Sequence, residues 1–588
     1  MDFLSLRCSP ARCSDTVLVG SKFCAFNPCL IKSIFSVEGC EPANRSIICS
    51  IGNQEKKKVV VVGGGVGGLS VGGRLAREGF DVHIVEKNAQ VGGRLQSVIL
   101  SPGNENYHDA EPGRESEGDP IVVGRRETFR FDTGPSLLLL PQKYRDAFAA
   151  LGENMDDYVT LKRVEPAAYR VFFGEEGGVK SLDLLYDVQR MCAQLEQVEE
   201  GAAAAYLRFL AYAKEALDKG TASFIERDFK SFWDYANLPR LLPLLKHLSP
   251  FELLGQHRAR MSTYFKSSQL QALFTFQDLY VGLTPYNAPG VFSLLAATEI
   301  TDGVWYPVGG FAEVRDGLAR AAQKLGVKIT AGATVKRIDH ANGQVEGVTL
   351  HDGSCLKADI VVANADLPHV YSNLLGSYGS RQASNLLRAK YSASVIAFQW
   401  ALNTHLEGLS HHNVFLSDQY EKSWQRAVNA ASILEQPNFY VHAPSRTDPT
   451  VCPQGHDAIT VLLPVAHLGE GYNNGNRSED EGIIDAARAR VMDTLSRSGI
   501  RIAASNILSE LVYSPPKWQE MYSLQYGAAF GLAHNLPQLA YFRPDVADAS
   551  IKGLYFVGAS TRPGNGVPLV LMGAKITADR IVEDNCKR

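Results

Sequence analysis

Three observations in the sequence predict an α/β fold. A fully apolar, β-branched run, Val59–Val62, leads into glycines and then into a helical pattern, the order expected of a buried parallel strand and its crossover helix. A second strand-to-glycine passage, G-L-Y-F-V-G-A-S-T-R-P-G-N-G-V-P, runs from Gly553 to Pro568 near the other end of the chain. Between the two, helical stretches give way to strand-like runs, so a second domain is expected as an insertion into the first. The predicted architecture is a glycine-rich, Rossmann-like domain interrupted by a mixed-sheet domain and a helical cap.

Composition sets the outer limits. The chain has 588 residues, 45% hydrophobic and 21% charged, an ordinary globular balance. A formal net charge of −4 and the lack of a long basic stretch argue against nucleic-acid binding. No apolar run is long enough to span a bilayer, which disfavours an integral membrane protein and leaves peripheral membrane contact open. Six of the ten cysteines (Cys8, Cys13, Cys24, Cys29, Cys40 and Cys49) fall in the first fifty residues, without C-x-x-C or zinc-like spacing, and are expected to be reduced, unpaired thiols. That stretch is serine-rich, basic at Arg7, Arg12, Lys22 and Lys32, and poor in acids. Residues 1–53 therefore read as a plastid or, alternatively, mitochondrial transit peptide, with an ordinary disordered leader as the plainer reading.

The first glycine motif carries a definite chemistry. After Val59–Val62, Gly63, Gly65 and Gly68 supply G-x-G-x-x-G, with Gly67 between, and a helical stretch runs to about Gly79. Gly63 makes the tight turn, Gly65 lets backbone approach a pyrophosphate, and Gly68 permits close helix–strand packing. The helix N-terminus offers amide donors and a positive dipole end to phosphates. A second strand, Asp81–Val85, ends at Glu86, placed to accept hydrogen bonds from adenosine ribose hydroxyls, with Lys87 beside it. V-G-G-R-L, Val91–Leu95, then brings Gly92, Gly93 and Leu95 near the same ligand and offers Arg94 for a bidentate phosphate contact. A long dinucleotide such as FAD, gripped by both ends of the chain, fits this pattern.

The run from Val59 to Leu95 resembles the flavin-binding half of the family that contains amine oxidases, protoporphyrinogen oxidases, carotenoid desaturases and Rab-escort proteins. The resemblance implies FAD rather than a diffusible nicotinamide. F-D-T-G-P-S, Phe131–Ser136, is similar to a strand and turn of the bacterial and fungal-type phytoene desaturases, which implies cofactor contacts at Gly134, Pro135 and Ser136. G-V-W-Y-P-V-G-G, Gly303–Gly310, resembles their central motif, and Val335 the position whose backbone contacts adenine. V-G-A-S-T-R-P-G-N-G-V-P-L-V-L-M-G-A-K resembles their C-terminal motif and implies contacts at Gly558, Ala559, Gly566, Val567 and Pro568. Amine oxidases usually carry an acid where Ala559 stands; carotenoid desaturases do not. The resemblance spans about residues 57 to 585. It implies FAD-dependent introduction of double bonds into phytoene or a related carotene at a plastid membrane, with quinone or oxygen as electron acceptor. One departure is a polar, acidic insertion at 101–128, longer than in the family and expected to be a solvated loop, with a partner-binding role as the alternative.

The remaining segments follow from periodicity. Residues 54–140 are expected to form the first part of the cofactor domain and 141–305 a helical, membrane-facing cap. Within the cap, Tyr144–Leu151, Asp187–Val198 and Ala202–Leu217 place apolar residues at helical spacing. Phe229–Tyr264 interleaves leucines and aromatics with Arg240, Lys246, His247, Arg258 and Arg260, which suits either ordinary core or a surface that docks on lipid. Residues 306–375 are expected to rejoin the cofactor domain through hairpins turning at Asn342-Gly343 and Asp352-Gly353 and a buried strand, Ala358–Asp366. Residues 376–545 form the second substrate segment, with strands at Val395–Leu402 and Ala458–Leu463, and 546–588 close the cofactor domain.

No acid/base set or metal motif stands out, and no catalytic residue is assigned. His411-His412 reads as a solvated pair in a loop rather than a metal site, and Asp278, Glu299, Tyr306 and Arg315 as conceivable pocket residues whose plainer reading is structural. Flavin-dependent cis–trans isomerisation of a carotenoid, and lipid binding without flavin chemistry in the manner of Rab-escort proteins, are the alternative functions.

Overall fold

The computed structural model describes residues 56–102, 108–109, 127–174, 180–220, 226–235, 255–475 and 477–586. The expected leader lies outside them. So do most of the 101–128 insertion and residues 236–254, the centre of the stretch considered for lipid contact.

The first sheet orders its strands Lys328–Thr330, Asp81–Val85, Lys58–Val62, Ile360–Ala363 and Leu554–Phe556, all parallel. Three separated stretches of chain thus build one sheet. Its central strand has Val59–Val62 buried, because Val59 and Val61 pack with helix residues such as Leu69 and Leu571 while Val60 and Val62 pack with Ile338 and Val348 of an antiparallel sheet. From that strand the chain turns at Gly63, whose φ of +100° suits glycine, into the helix Val66–Arg77. A Cβ on Gly68 would sit 2.2 Å from the Gly63 carbonyl oxygen, so only glycine lets helix and strand approach this closely. The expected hairpin forms between Val335–Ala341 and Gln344–Leu350, with Asn342 and Gly343 both at positive φ (51° and 72°).

The second sheet has seven strands in the order Ile507–Tyr513, Ser394–Leu402, Asp457–Val465, Phe439–His442, His412–Leu416, Ala167–Phe173 and Ser181–Leu185. Its neighbours are antiparallel except for the parallel pairing of His412–Leu416 with Ala167–Phe173. Ser394–Leu402 is buried at every position. One face, with Phe398 and Trp400, packs with Ile483, Ala487 and Val491 of the helix Arg477–Arg497; the other packs with Phe129, Phe131 and Trp518.

One expectation for the middle of the chain is corrected here. Residues 141–305 are not only helices and turns: Ala167–Phe173 and Ser181–Leu185 are strands of the mixed sheet. A-A-Y-R-V-F-F is largely buried, so it lacks the alternation that marks a half-exposed strand. The helical remainder includes Val188–Val198, whose N-cap Asp187 accepts the Arg190 amide at 2.8 Å, then Ala202–Gly220 and Ser293–Thr301. No helix among the described residues is long and apolar enough to cross a membrane.

Candidate active site

A cavity of ≈ 790 Å³ runs between the two sheets. Every residue singled out for cofactor contact lines it except Gly68, whose place is the helix–strand contact described above.

At one end stand Gly63, Gly65 and Gly67. Gly65 is the N-cap of Val66–Arg77; no side chain caps this helix and its first turn holds no acid, which leaves its amides and dipole to an anion. Glu86, 5% exposed, ends the next strand, with Oε2 accepting the Gly64 amide at 2.7 Å and Oε1 the Asn88 amide at 2.9 Å. These bonds fix the carboxylate while lone pairs remain for hydroxyl donors. Beside it, Lys87 Nζ donates to Ser523 Oγ at 3.0 Å, and burial lowers the pKa of its ammonium.

Gly92, Gly93 and Leu95 form the adjacent wall. Arg94 Nη1 donates to the Ala529 carbonyl at 2.7 Å; burial pulls its pKa down and the Asp366 carboxylate partly restores it. A Cβ on Gly134 would fall 1.8 Å from the Arg94 carbonyl oxygen, so this glycine answers to the neighbouring backbone. Pro135 and Ser136 continue the wall, and Ser136 Oγ hydrogen-bonds Tyr440 Oη at 2.9 Å. Val335 lines the side nearest Glu86's strand end. Gly558, Ala559 and Gly566 form the opposite wall, and Val567 begins the helix Val567–Cys586 with Pro568 in its first turn.

Beyond these loops the cavity is lined by apolar side chains, among them Leu279, Val281, Phe292, Leu295, Val395 and Leu462. An anion-ready helix end, a pinned carboxylate, a buried guanidinium and a second helix start, in one elongated cavity, fit FAD.

Several lining residues escaped the sequence reading. Asn364 follows the strand Ile360–Ala363; its Nδ2 donates to the Gly63 carbonyl at 3.3 Å, locking the two strand ends together. Asp366 accepts the Gln525 amide at 3.0 Å and is also held by Ser560. Behind the lining, Arg543, 1% exposed, clamps the Ala559 loop by donating to the carbonyls of Ala559 and Thr561 at 2.5 and 3.1 Å. A polar residue at the C-terminal end of a parallel strand is the signal that could have flagged Asn364.

The four residues expected to be structural are bound elsewhere. Asp278 accepts from His257 Nδ1 at 2.9 Å, Glu299 from Tyr169 Oη at 3.2 Å, Tyr306 donates to Asp132 at 3.0 Å, and Arg315 pairs with Asp316. The histidine pair is a correction: His411 and His412 are 2% and 0% exposed, beside His442, and not solvated. A polar-looking loop sequence hid them, because His412 opens an interior strand of the sheet.

Comparison with known proteins gives a consistent picture. The profile of flavin containing amine oxidoreductases matches residues 66–582. The chain is 37% identical to a phytoene desaturase of Fusarium fujikuroi over 549 residues, covering 90% of each chain. It is 34% identical to a zeta-carotene-forming phytoene desaturase of Myxococcus xanthus, covering 90% of this chain and 94% of that one. Among solved structures, an oxidoreductase from Methanosarcina mazei (TM-score 0.54, 17% identity, 89% and 100% covered) and wild-type putrescine oxidase (0.53, 13%, 91% and 100%) share the fold.

Proposed function

The chain belongs to the flavin-containing amine oxidoreductase family, on its phytoene desaturase branch, and from that premise we propose that this FAD-dependent enzyme introduces double bonds into phytoene or a related carotene at a membrane. The observation that carries the reading is the continuity of one cavity, from glycine loops suited to a dinucleotide to apolar walls suited to a hydrocarbon.

Bound FAD supplies a hydride acceptor, and the protein's part is to bind, orient and keep dry. The Val66–Arg77 N-terminus and Arg94 would hold the pyrophosphate, and Glu86 would take the ribose hydroxyls. Leu279, Val281, Phe292 and Leu295 align an unfunctionalised chain by excluding water, since nothing on a carotene offers a hydrogen bond for orientation. The N-terminus of Val567–Cys586 would offer a positive dipole end to a reduced flavin that carries negative charge. A quinone or oxygen would be the electron acceptor. The serine-rich, basic first fifty residues support a plastid address, which a fusion of residues 1–53 to a fluorescent protein tests by its location.

The direct test is product analysis. FAD-loaded protein incubated with phytoene in liposomes and an added quinone should yield carotenes with longer conjugation. Unchanged phytoene beside a fully loaded flavin would contradict the reading.

A further inference from the structure

Three histidines inside the mixed sheet have no part in the account so far. His412 and His442 lie opposite one another in register on adjacent strands, and the bend before the first strand folds His411 against both. Each ring offers one nitrogen such that the three lie within 4.8 Å of one another, and all three residues are buried. We propose that His411, His412 and His442 bind a single divalent ion of the zinc class, behind the cofactor loop.

The outer hydrogen bonds point the right nitrogens inward. His411 Nδ1 lies 2.6 Å from Thr447 Oγ1, and His412 Nδ1 lies 2.6 Å from Tyr440 Oη. A hydroxyl accepting from Nδ1–H leaves the lone pair on Nε2, the arrangement that orients metal-ligating histidines. His411 Nε2 and His442 Nε2 then face each other at 3.0 Å. Zinc–nitrogen bonds of about 2.0–2.1 Å in a tetrahedron set ligand nitrogens roughly 3.3 Å apart, so an ion needs only a slight opening of this pair. His412 Nε2 is buried and has no hydrogen-bond partner, a costly state that an ion removes.

A water would complete the tetrahedron around the three nitrogens. Tyr306 packs 5.0 Å from the His411 ring and donates to Asp132, whose carboxylate supplies charge one residue further out. The nearby Arg446 is already paired with Asp457, at 2.5 and 3.0 Å. The ion would tie the bend at His411 to the strand Phe439–His442. It would thereby brace Tyr440, which bonds both His412 and Ser136 on the cavity wall. Its role is structural, with no redox step.

Metal content of the FAD-loaded full chain tests this. Protein grown with added zinc and dialysed against a weak chelator should keep about one equivalent per chain. His442→Gln and His412→Gln should each lower that below about a tenth, with circular dichroism and flavin content retained. Growth in cobalt should give ligand-field absorption to the red of the flavin band, absent from His442→Gln. Wild-type protein with less than about a tenth of an equivalent of any transition metal, after growth and soaking with Zn²⁺, overturns the proposal. So does full metal content in the His412→Gln/His442→Gln protein. If the variants do not fold, the cobalt spectrum of the wild type decides: nitrogen-ligated bands support the site and their absence overturns it.

Discussion

At Gly65 two neighbours compete for the space a side chain would take. The sequence assigns that space to a pyrophosphate, yet a Cβ there would also lie 2.7 Å from Asn364 Nδ2. Gly65→Val should therefore lose FAD for two reasons, which a second substitution separates. Gly65→Val combined with Asn364→Ala removes the internal collision and should still purify without flavin; wild-type flavin content in that protein would move the cofactor away from Gly65. His534 makes a different prediction. It lines the cavity at 2% exposure, and burial first, then the Arg543 charge, holds its pKa well below the usual value. Its folded pKa lies below its unfolded value, so its neutral form contributes stability above pH ~6.5 that is lost as pH falls. The slope from this one group reaches up to about 1.4 kcal/mol per pH unit. Urea midpoints at pH 7.5 and 5.5 should draw apart less in His534→Gln than in the wild type.

Elements differ in how openly they declare themselves. The helix Arg477–Arg497 carries Gly482 on an exposed position, where an added Cβ meets nothing. Gly482→Ala should stabilise the protein by about 0.5–1 kcal/mol, read as a higher urea midpoint with unchanged activity. The same local logic made part of the parallel sheet and the antiparallel hairpin legible: Val59–Val62, Asp81–Val85 and the Asn342-Gly343 turn follow from β-branched runs and turn residues alone. Ala167–Phe173 was not legible, because a strand buried on both faces has the periodicity of neither element. His411 and His412 misled for a related reason. Polar residues in a short segment signal solvent unless partners are known, and theirs (Thr447, Tyr440 and His442) come from sequence twenty-eight or more residues away. The glycine loops were readable as tight turns, and they do line one cavity, since backbone conformation is local. Asn364, Asp366 and Arg543 were not, since their roles exist only once separate strand ends meet.

On the scale of the molecule, three stretches of chain close one sheet around a dinucleotide-shaped cavity, and the intervening stretches build the apolar extension of that same cavity. A hydrocarbon in this extension would meet mainly apolar walls, so substrate length and shape rather than functional groups should govern turnover. The central claim is that the bound flavin is reduced by a carotene. The most direct measurement is the visible spectrum of FAD-loaded protein, mixed without air with phytoene in liposomes. Bleaching of the flavin band on addition of phytoene, and not of empty liposomes, is the predicted result. A flavin band that stays oxidised, in protein whose flavin dithionite still reduces, would contradict it.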